Sequence, residues 1–142
     1  MAEKAAATHV TQMATVVVPV SDQDRAVEFF VEYLAFEKFS DFGYGDGERW
    51  VEVSPPDAGT RLSLVLPREG RRPGVETGVV FTSEDVEADH EQLRARGVEV
   101  DEAIMGEGAP IVYWADAPLS GIPAMFRFRD PDGNSFLMVQ GA

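Results

Sequence analysis

The sequence predicts an α+β fold in which two tandem βαβββ modules form an open eight-stranded cup. Three observations predict it. Short apolar strand-like runs surround two amphipathic helical stripes, the order strand–helix–strand–strand–strand occurs twice, and the two helices align at one constant separation. Ser21 matches Ser83 and Ala35 matches Gly97, both at an offset of 62 residues (83 − 21 and 97 − 35). Neither module can enclose a core alone, so we expect the two to be joined by pairing their sheets.

The first module is expected at residues 12–66. A β-rich run at 16–20 leads into Ser21 and Asp22, which carry the short polar side chains typical of a helix N-cap. The helix then shows one apolar stripe at helical spacing, formed by Ala26, Phe29, Phe30, Tyr33 and Leu34. Three strands are predicted near residues 37–42, 49–53 and 61–66, because Gly-rich and Pro-rich turns separate these stretches.

The second module is expected at residues 75–142, after a charged linker at 67–74. A strand at 77–82 precedes a second helix whose inner face is Val86, His90, Leu93 and Gly97. The module closes with a hairpin, because apolar strands flank the turn at 130–134, where Pro131 fixes φ and Gly133 permits a positive φ. Residues 1–11 are expected to be a flexible tail, so the domain runs from 12 to 142.

Composition excludes several classes of function. The chain has 142 residues and a net charge of −13, which argues against nucleic-acid binding because phosphate contacts need clustered Lys and Arg. It has no cysteine, which excludes disulfides, thiolate catalysis and zinc–thiolate sites. No apolar run approaches the roughly 20 residues of a membrane helix, and the start does not resemble a signal peptide. We therefore expect a cytoplasmic protein with no membrane partner.

Three segments resemble the vicinal oxygen chelate superfamily, which includes glyoxalase I, the bleomycin-resistance proteins and the extradiol dioxygenases. They are Pro-Val-Ser-Asp-Gln-Asp-Arg-Ala-Val-Glu-Phe-Phe at 19–30, the second helix with its exit at 85–98, and the hairpin turn at 130–134. The resemblance begins near Thr11 and covers nearly the whole remaining chain. It implies eight strands curved into a cup, two outer helices and, in many members, a homodimer in which modules pair.

The resemblance also implies positions for one divalent metal, which enzymes of the family hold with four side chains. These positions fall on Thr15, Ser63, Gly78 and Leu137. Gly and Leu offer no donor atom, and hydroxyls are poor ligands for the metals concerned. A shift of one residue brings no ligand, and Glu76 alone would bind weakly. We therefore expect no metal and no other cofactor.

A cup without a metal would suit a small organic molecule. On the last strand Ser135, Leu137 and Val139 share one face, while Phe136 and Met138 share the other, which should pack under the helices. If Leu137 faces the cup, the lining is mostly apolar with a few hydroxyls and comprises Thr15, Val17, Ser63, Val65, Gly78, Val80 and Leu137. The alternative is a cup filled by its own side chains, which binds nothing.

Aromatic and charged residues bear on the class of ligand. Trp50, Tyr113 and Trp114 border the expected cup mouth, and Glu52 shares a strand face with Trp50, a pairing that favours a cationic or aromatic ligand. Core or dimer-interface positions are the alternative for the two tryptophans. Arg127 lies on an alternating strand whose basic face points either into the cup, favouring an anionic ligand, or into solvent.

The sequence also contains one long irregular stretch and two histidines that bear on function. The long stretch at 105–123 is either a lid over the cup or a dimer contact. His9 lies in the expected tail, and His90 is expected to be a hydrogen-bonded core histidine rather than a ligand.

The sequence thus favours a metal-independent binding protein for a small molecule, such as an antibiotic, working as a homodimer. One alternative is a lyase, isomerase or dioxygenase-like enzyme with a non-standard site that uses Glu52, an aspartate or Tyr113, with a raised carboxyl pKa in the cup. The other alternative is a structural or regulatory dimer whose cup is closed.

Overall fold

Two four-stranded sheets and two helices make up the computed structural model, which describes residues 7–106 and 122–141. The first half contains β1 (Thr15–Pro19), α1 (Gln23–Leu34), β2 (Glu37–Gly43), β3 (Arg49–Ser54) and β4 (Arg61–Val65). The second half contains β5 (Glu76–Ser83), α2 (Val86–Ala95), β6 (Glu99–Val100), β7 (Met125–Arg129) and β8 (Ser135–Gln140). The predicted α+β class and the repeated βαβββ order are confirmed.

Both sheets have the same topology. The first has the order β1-β4-β3-β2 and the second β5-β8-β7-β6, and in each the first strand pairs in parallel with the last. Between the described strands no hydrogen-bonded pair joins one sheet to the other, so the expected pairing of the sheets is not observed within this chain. The two halves are held together in a different way, through a shared core and a polar turn.

Capping side chains start both helices. Asp22 accepts a hydrogen bond from the Arg25 backbone N–H, and Asp85 accepts one from Ala88, each at 3.0 Å, which satisfies an otherwise unpaired helix donor. At the end of α1 Ala35 adopts a left-handed conformation with φ of 56°. None of the described helices is long and apolar enough to cross a bilayer.

The helices and the helix-facing sides of both sheets form one hydrophobic core. Phe30 of α1 meets Phe136 of β8 edge to face at 5.5 Å between ring centroids, and Phe36 meets Phe81 of β5 at 5.4 Å. Alternate residues of the strands, such as Val53 and Phe128, complete the cluster. Buried apolar area is the main favourable term in folding, so this shared cluster is the chief attachment between the halves.

The hairpin turn at 130–134 adds a polar attachment, here termed the clasp. Asn134 donates to the Pro19 carbonyl at 2.8 Å and accepts from the Gly74 and Val75 backbone N–H groups at 2.8 and 3.1 Å. The carboxylate of Asp132 accepts from the backbone N–H and the hydroxyl of Ser21, at 3.0 and 2.5 Å. The clasp therefore joins the last hairpin to the end of β1 and to the linker.

A cluster of charged side chains also attaches α1 to strands β2 and β3 of the first sheet. Arg49 of β3 contacts Asp41 of β2 at 2.7 Å and Asp24 of α1 at 2.8 Å. The hydrogen bonds from Arg49 and from Lys38 hold the pKa of the Asp41 carboxyl well below its ordinary value.

Candidate functional site

Each sheet has one face turned away from the helices and the core, here termed its helix-free face. On the first sheet the strand register places Val17, Ser63, Glu52 and Ser40 in one row across four strands. Thr15 and Val65 lie on the same face by strand alternation, and Trp50 lies opposite Phe42. Six of the predicted cup residues therefore share this face, namely Thr15, Val17, Trp50, Glu52, Ser63 and Val65.

Thr15 and Ser63 form a closed hydroxyl pair on this face. Their Oγ atoms are 2.5 Å apart, and Thr15 also donates to the Arg61 carbonyl at 3.1 Å. Since a hydroxyl carries one hydrogen, Ser63 is the donor to Thr15. Ser63 is fully buried. The two positions inferred from family resemblance thus meet in space, with the Ser63 hydroxyl bonded to Thr15 and the Thr15 hydroxyl bonded to the Arg61 carbonyl.

The helix-free face of the second sheet contains Val80, Leu137 and Arg127, which lie opposite one another in register. Phe136 and Met138 belong to the core, so the predicted alternation along the last strand is confirmed. Half of Val80 is exposed (51%), which leaves this face available for contact.

Gly78 lies in an irregularity of β5. Between the pair Glu76–Ser135 and the pair Val80–Leu137, β5 has two more residues than β8. Gly78 adopts a φ of +73° there, a conformation that glycine reaches at little cost. The bulge is stabilised by Thr77, whose hydroxyl donates to the Ser135 carbonyl at 2.7 Å and accepts from the Val79 backbone N–H at 3.1 Å.

The orientation of Arg127, which the sequence leaves open, is towards the helix-free face. Its charge is compensated there, because its Nε lies 3.5 Å from a carboxylate oxygen of Glu76. Arg129, on the same face, contacts Glu99 at 3.3 Å and Asp101 at 3.6 Å. These pairs reduce the attraction of this face for an anionic ligand, and they also occupy the carboxylate considered as a lone metal ligand.

The donor atoms at the four positions implied by family resemblance do not fit a divalent metal. Thr15 and Ser63 offer only mutually bonded hydroxyls, Gly78 has no side chain, and Leu137 has no donor. In the part of the chain that the structure describes, there is no group of three or more His, Cys, Asp or Glu side chains placed to hold a metal. No chemical step is therefore assigned to a metal.

Aromatic and acidic groups lie side by side on the first sheet. Trp50 is partly exposed beside Phe42, and Glu52 accepts a hydrogen bond from the Ser40 hydroxyl at 2.8 Å. Of the other predicted aromatic residues, Tyr113 and Trp114 lie outside the described residues. Most of the segment at 105–123, considered as a lid, also lies outside them.

Two titratable side chains, His90 and Asp130, lie outside the helix-free faces and make contacts that stabilise the fold. His90 is buried, its Nε2 lies 2.7 Å from the Asp101 carbonyl, and its ring meets Phe126 at 5.0 Å, which confirms the expected core histidine. Burial raises the pKa of the Asp130 carboxyl, against the lowering effect of hydrogen bonds from Asn134 and Asp132. This carboxyl belongs to the clasp and not to a helix-free face. His9 is exposed ahead of β1.

The single chain groups the predicted residues into two sets, one on each sheet. The polar contacts of each set stay within its own sheet, as the Thr15–Ser63 and Arg127–Glu76 pairs illustrate. A cavity of about 610 Å³ lies elsewhere, between the end of α1, the start of β4, β5 and α2. Of the predicted residues that the structure describes, Val80 alone lines it. Sequence reasoning missed this cavity, since its wall combines residues from seven parts of the chain.

Comparison with known proteins gives consistent matches over most of the chain. The family model described as Glyoxalase/Bleomycin resistance protein/Dioxygenase superfamily matches residues 12–138. The uncharacterized protein YetH of Bacillus subtilis (strain 168) is 30% identical over 133 residues, covering 92% of this chain and 99% of that protein.

Two solved structures are similar in both sequence and fold. TnmS3, an antibiotic binding protein from Streptomyces sp. CB03234, is 32% identical with a TM-score of 0.74 and covers 96% of this chain and 100% of its own. A superfamily member from Sphaerobacter thermophilus DSM 20745 is 31% identical with a TM-score of 0.78, covering 94% and 99%.

Proposed function

The chain belongs to the Glyoxalase/Bleomycin resistance protein/Dioxygenase superfamily, and from this premise we propose that it binds a small organic molecule of antibiotic type without a protein-bound metal. Binding takes place on the helix-free faces of the two sheets. Similarity to an antibiotic binding protein at 32% identity supports the class of ligand.

The Thr15–Ser63 hydroxyl pair is the observation that carries the proposal. Where the family resemblance places two metal ligands, this chain has two hydroxyls at 2.5 Å that bond each other, and Leu137 supplies an apolar surface at the fourth position. A site of this kind provides shape, apolar contact and a few hydrogen-bonding groups. Those are the properties of a binding pocket for an organic molecule.

The aromatic surface of the first sheet sets the preference for ligand chemistry. Trp50 and Phe42 provide ring faces for stacking, and Glu52 places a carboxylate two residues along the same strand face. The arginines of the second sheet are paired with acidic groups, so they do not oppose a cationic ligand. We propose an aromatic ligand, neutral or cationic, as the preferred class.

A second copy of the chain completes the site in this proposal. The two residue sets lie on separate sheets, and apolar side chains on both helix-free faces are exposed, including Phe42 and Val80. A homodimer that brings the first sheet of one chain against the second sheet of the other would enclose both sets in one cup. The cytoplasmic location expected from the composition is part of the same proposal.

Metal content tests the metal-independent part of the proposal. We expect elemental analysis of protein purified without chelator to find less than stoichiometric metal, and nickel, zinc or manganese to raise the melting temperature by less than about one degree, because residues 7–106 and 122–141 contain no ligand set. Stoichiometric metal, or a rise of several degrees, would contradict it.

Ligand-binding measurements test the proposal that the helix-free faces bind an antibiotic-type molecule. Native mass spectrometry against a panel of antibiotics that includes bleomycin should find at least one bound molecule per cup. Leu137→Arg should weaken that binding by about tenfold or more, since a charge replaces the apolar contact. Val31→Arg is the control, because Val31 is an exposed apolar residue on α1 and not on a helix-free face. Chromatographic detection of a converted ligand would support an enzyme instead, and the absence of any binding would support a closed cup.

A further inference from the structure

The cavity at the junction of the two halves lies mainly against the core side of the two sheets, although Arg61 and Val80 of the helix-free faces also line it. Its wall is mostly apolar and includes side chains from both sheets and both helices, among them Phe36, Leu62, Phe81, Leu93 and Met138. The volume of about 610 Å³ falls within the range of sites for small organic molecules. This cavity is termed the junction cavity.

Arg61 is the cationic group in the wall of the junction cavity. Its guanidinium carbon lies 3.5 Å from the centroid of the Phe39 ring, which fixes the side chain by a cation–π contact. Its Nε is removed from solvent and has no hydrogen-bond partner among residues 7–106 and 122–141. The Nε is closed to an incoming molecule as well as to solvent, so an acceptor oxygen would contact the terminal nitrogens of the Arg61 guanidinium.

The acidic group in the same wall is already occupied. Asp89 of α2 accepts a hydrogen bond from the Ser83 hydroxyl at 2.5 Å. Within the described part of the chain, Arg61 forms no ion pair, so its positive charge is the unmatched charge of the cavity. A carboxylate is the acceptor that matches a guanidinium best in both charge and shape.

We propose that the junction cavity is a second ligand site, which takes a small organic acid with an extended apolar body. The carboxylate contacts Arg61, and the apolar body lies against Phe36, Phe81 and Leu93. Arg61 and Val80 belong to the helix-free faces by strand alternation. The site nevertheless does not depend on the proposed function, because its apolar wall of Phe36, Phe81 and Leu93 belongs to the core side of the sheets.

Octanoate is a suitable probe, with 1-octanol as the uncharged molecule of the same apolar length. Isothermal titration of the full chain at 0.15 M salt should show octanoate binding, and 1-octanol should bind about tenfold more weakly because it lacks the charge that Arg61 recognises. Equal affinities for the two probes, or no octanoate binding, would overturn the proposal.

Three variants separate this site from others. Arg61→Met should weaken octanoate binding by about tenfold, and Ala58→Trp should weaken it by filling the cavity from the loop before β4. Arg72→Met, at an exposed arginine in the linker, is the matched control and should leave the affinity unchanged. If Arg72→Met weakened octanoate binding as much as Arg61→Met, the affinity would come from general attraction by positive charge, and the proposed site would be wrong.

Leu137→Arg distinguishes a failure of this proposal from a failure of the proposed function. It should leave octanoate binding unchanged while weakening the antibiotic-type ligand. Amide chemical shifts measured on the folded wild-type protein give a check without mutation. Octanoate should shift the amides of residues 58–62 and 79–83, and shifts confined to 50–52 and 127–129, which do not line the cavity, would place octanoate on the helix-free faces and overturn the assignment.

Discussion

At the scale of single residues, Asn134 has the most demanding position in the described chain. It is fully buried, and its side-chain amide makes hydrogen bonds to four groups: the Pro19 carbonyl, the Asp130 carboxylate and the backbone N–H groups of Gly74 and Val75. An amide is the side chain that offers both donors and acceptors in this arrangement. Asn134 therefore links β1, the linker and the last hairpin at one point.

Replacing Asn134 by alanine should lower the free energy of unfolding by about 3 kcal/mol, because the substitution leaves several buried polar groups without partners. Urea denaturation followed by circular dichroism would measure the change. Gln12→Ala removes a similar amide from an exposed position and should change stability by less than about 0.5 kcal/mol. A loss below 1 kcal/mol in Asn134→Ala would show that water replaces the clasp contacts without cost.

At the scale of elements, the two helix exits show how far the repeat extends. Ala35 follows α1 with a φ of 56°, and Gly97, its match at the offset of 62, follows α2 with a φ of 85°. Both positions have the left-handed backbone that ends many helices, yet only the second has glycine. The first helix therefore ends with a residue that is strained by its Cβ atom.

Ala35→Gly should raise the free energy of unfolding by about 0.5–1 kcal/mol. Relief of the left-handed strain, about 1–2 kcal/mol, outweighs the greater freedom of glycine in the unfolded chain. Ala88→Gly, inside α2, is the matched control and should lower stability by about 1 kcal/mol. Thermal and urea denaturation would report both, and a loss of stability in Ala35→Gly would contradict the strain.

The sequence predicts the helices and strands better than it predicts the candidate ligand sites. Alternation of apolar residues is a local property, so the strands, the helix stripes and the division of the last strand into two faces could be predicted from spacing alone, whereas the direction in which Leu137 faces is inferred from the family resemblance. The meeting of Thr15 with Ser63 could be predicted from the family resemblance. The junction cavity could not, because the stacking of Arg61 on Phe39 depends on a bulge between Lys38 and Ser40 in β2 and on the gap between two sheets. Those are consequences of tertiary packing.

At the scale of the whole molecule, two sheets share one core and turn their other faces outward. No strand pairing joins them between the described residues, and Phe42 and Val80 are about half exposed, at 55% and 51%. Exposed apolar side chains on the helix-free faces of both sheets favour association with a second copy. If the chain forms the proposed homodimer, the cup is a property of the assembly rather than of one chain.

Sedimentation velocity at micromolar concentration should give the mass of a dimer. Phe42→Asp should shift the distribution towards monomer, because a charge would be buried in the interface. Val31→Asp, on α1, should leave the dimer intact. A wild-type protein that stays monomeric at 100 μM would contradict the shared cup, and the ligand would then bind to a single open face.

The clasp also sets an order of folding. Asn134 bonds Pro19 across a separation of 115 residues, whereas the helix caps and strand pairs of the first half close over much shorter loops. Contacts so distant in sequence form late, since the entropy of loop closure must be spent before the contact is gained. We expect the strands and helix of the first half to form early during synthesis, while their core side and the junction with the linker stay open until the final hairpin emerges. Loss of the last strand should therefore leave a partly structured intermediate with an exposed core surface, which is the kind of species that chaperones and proteases recognise.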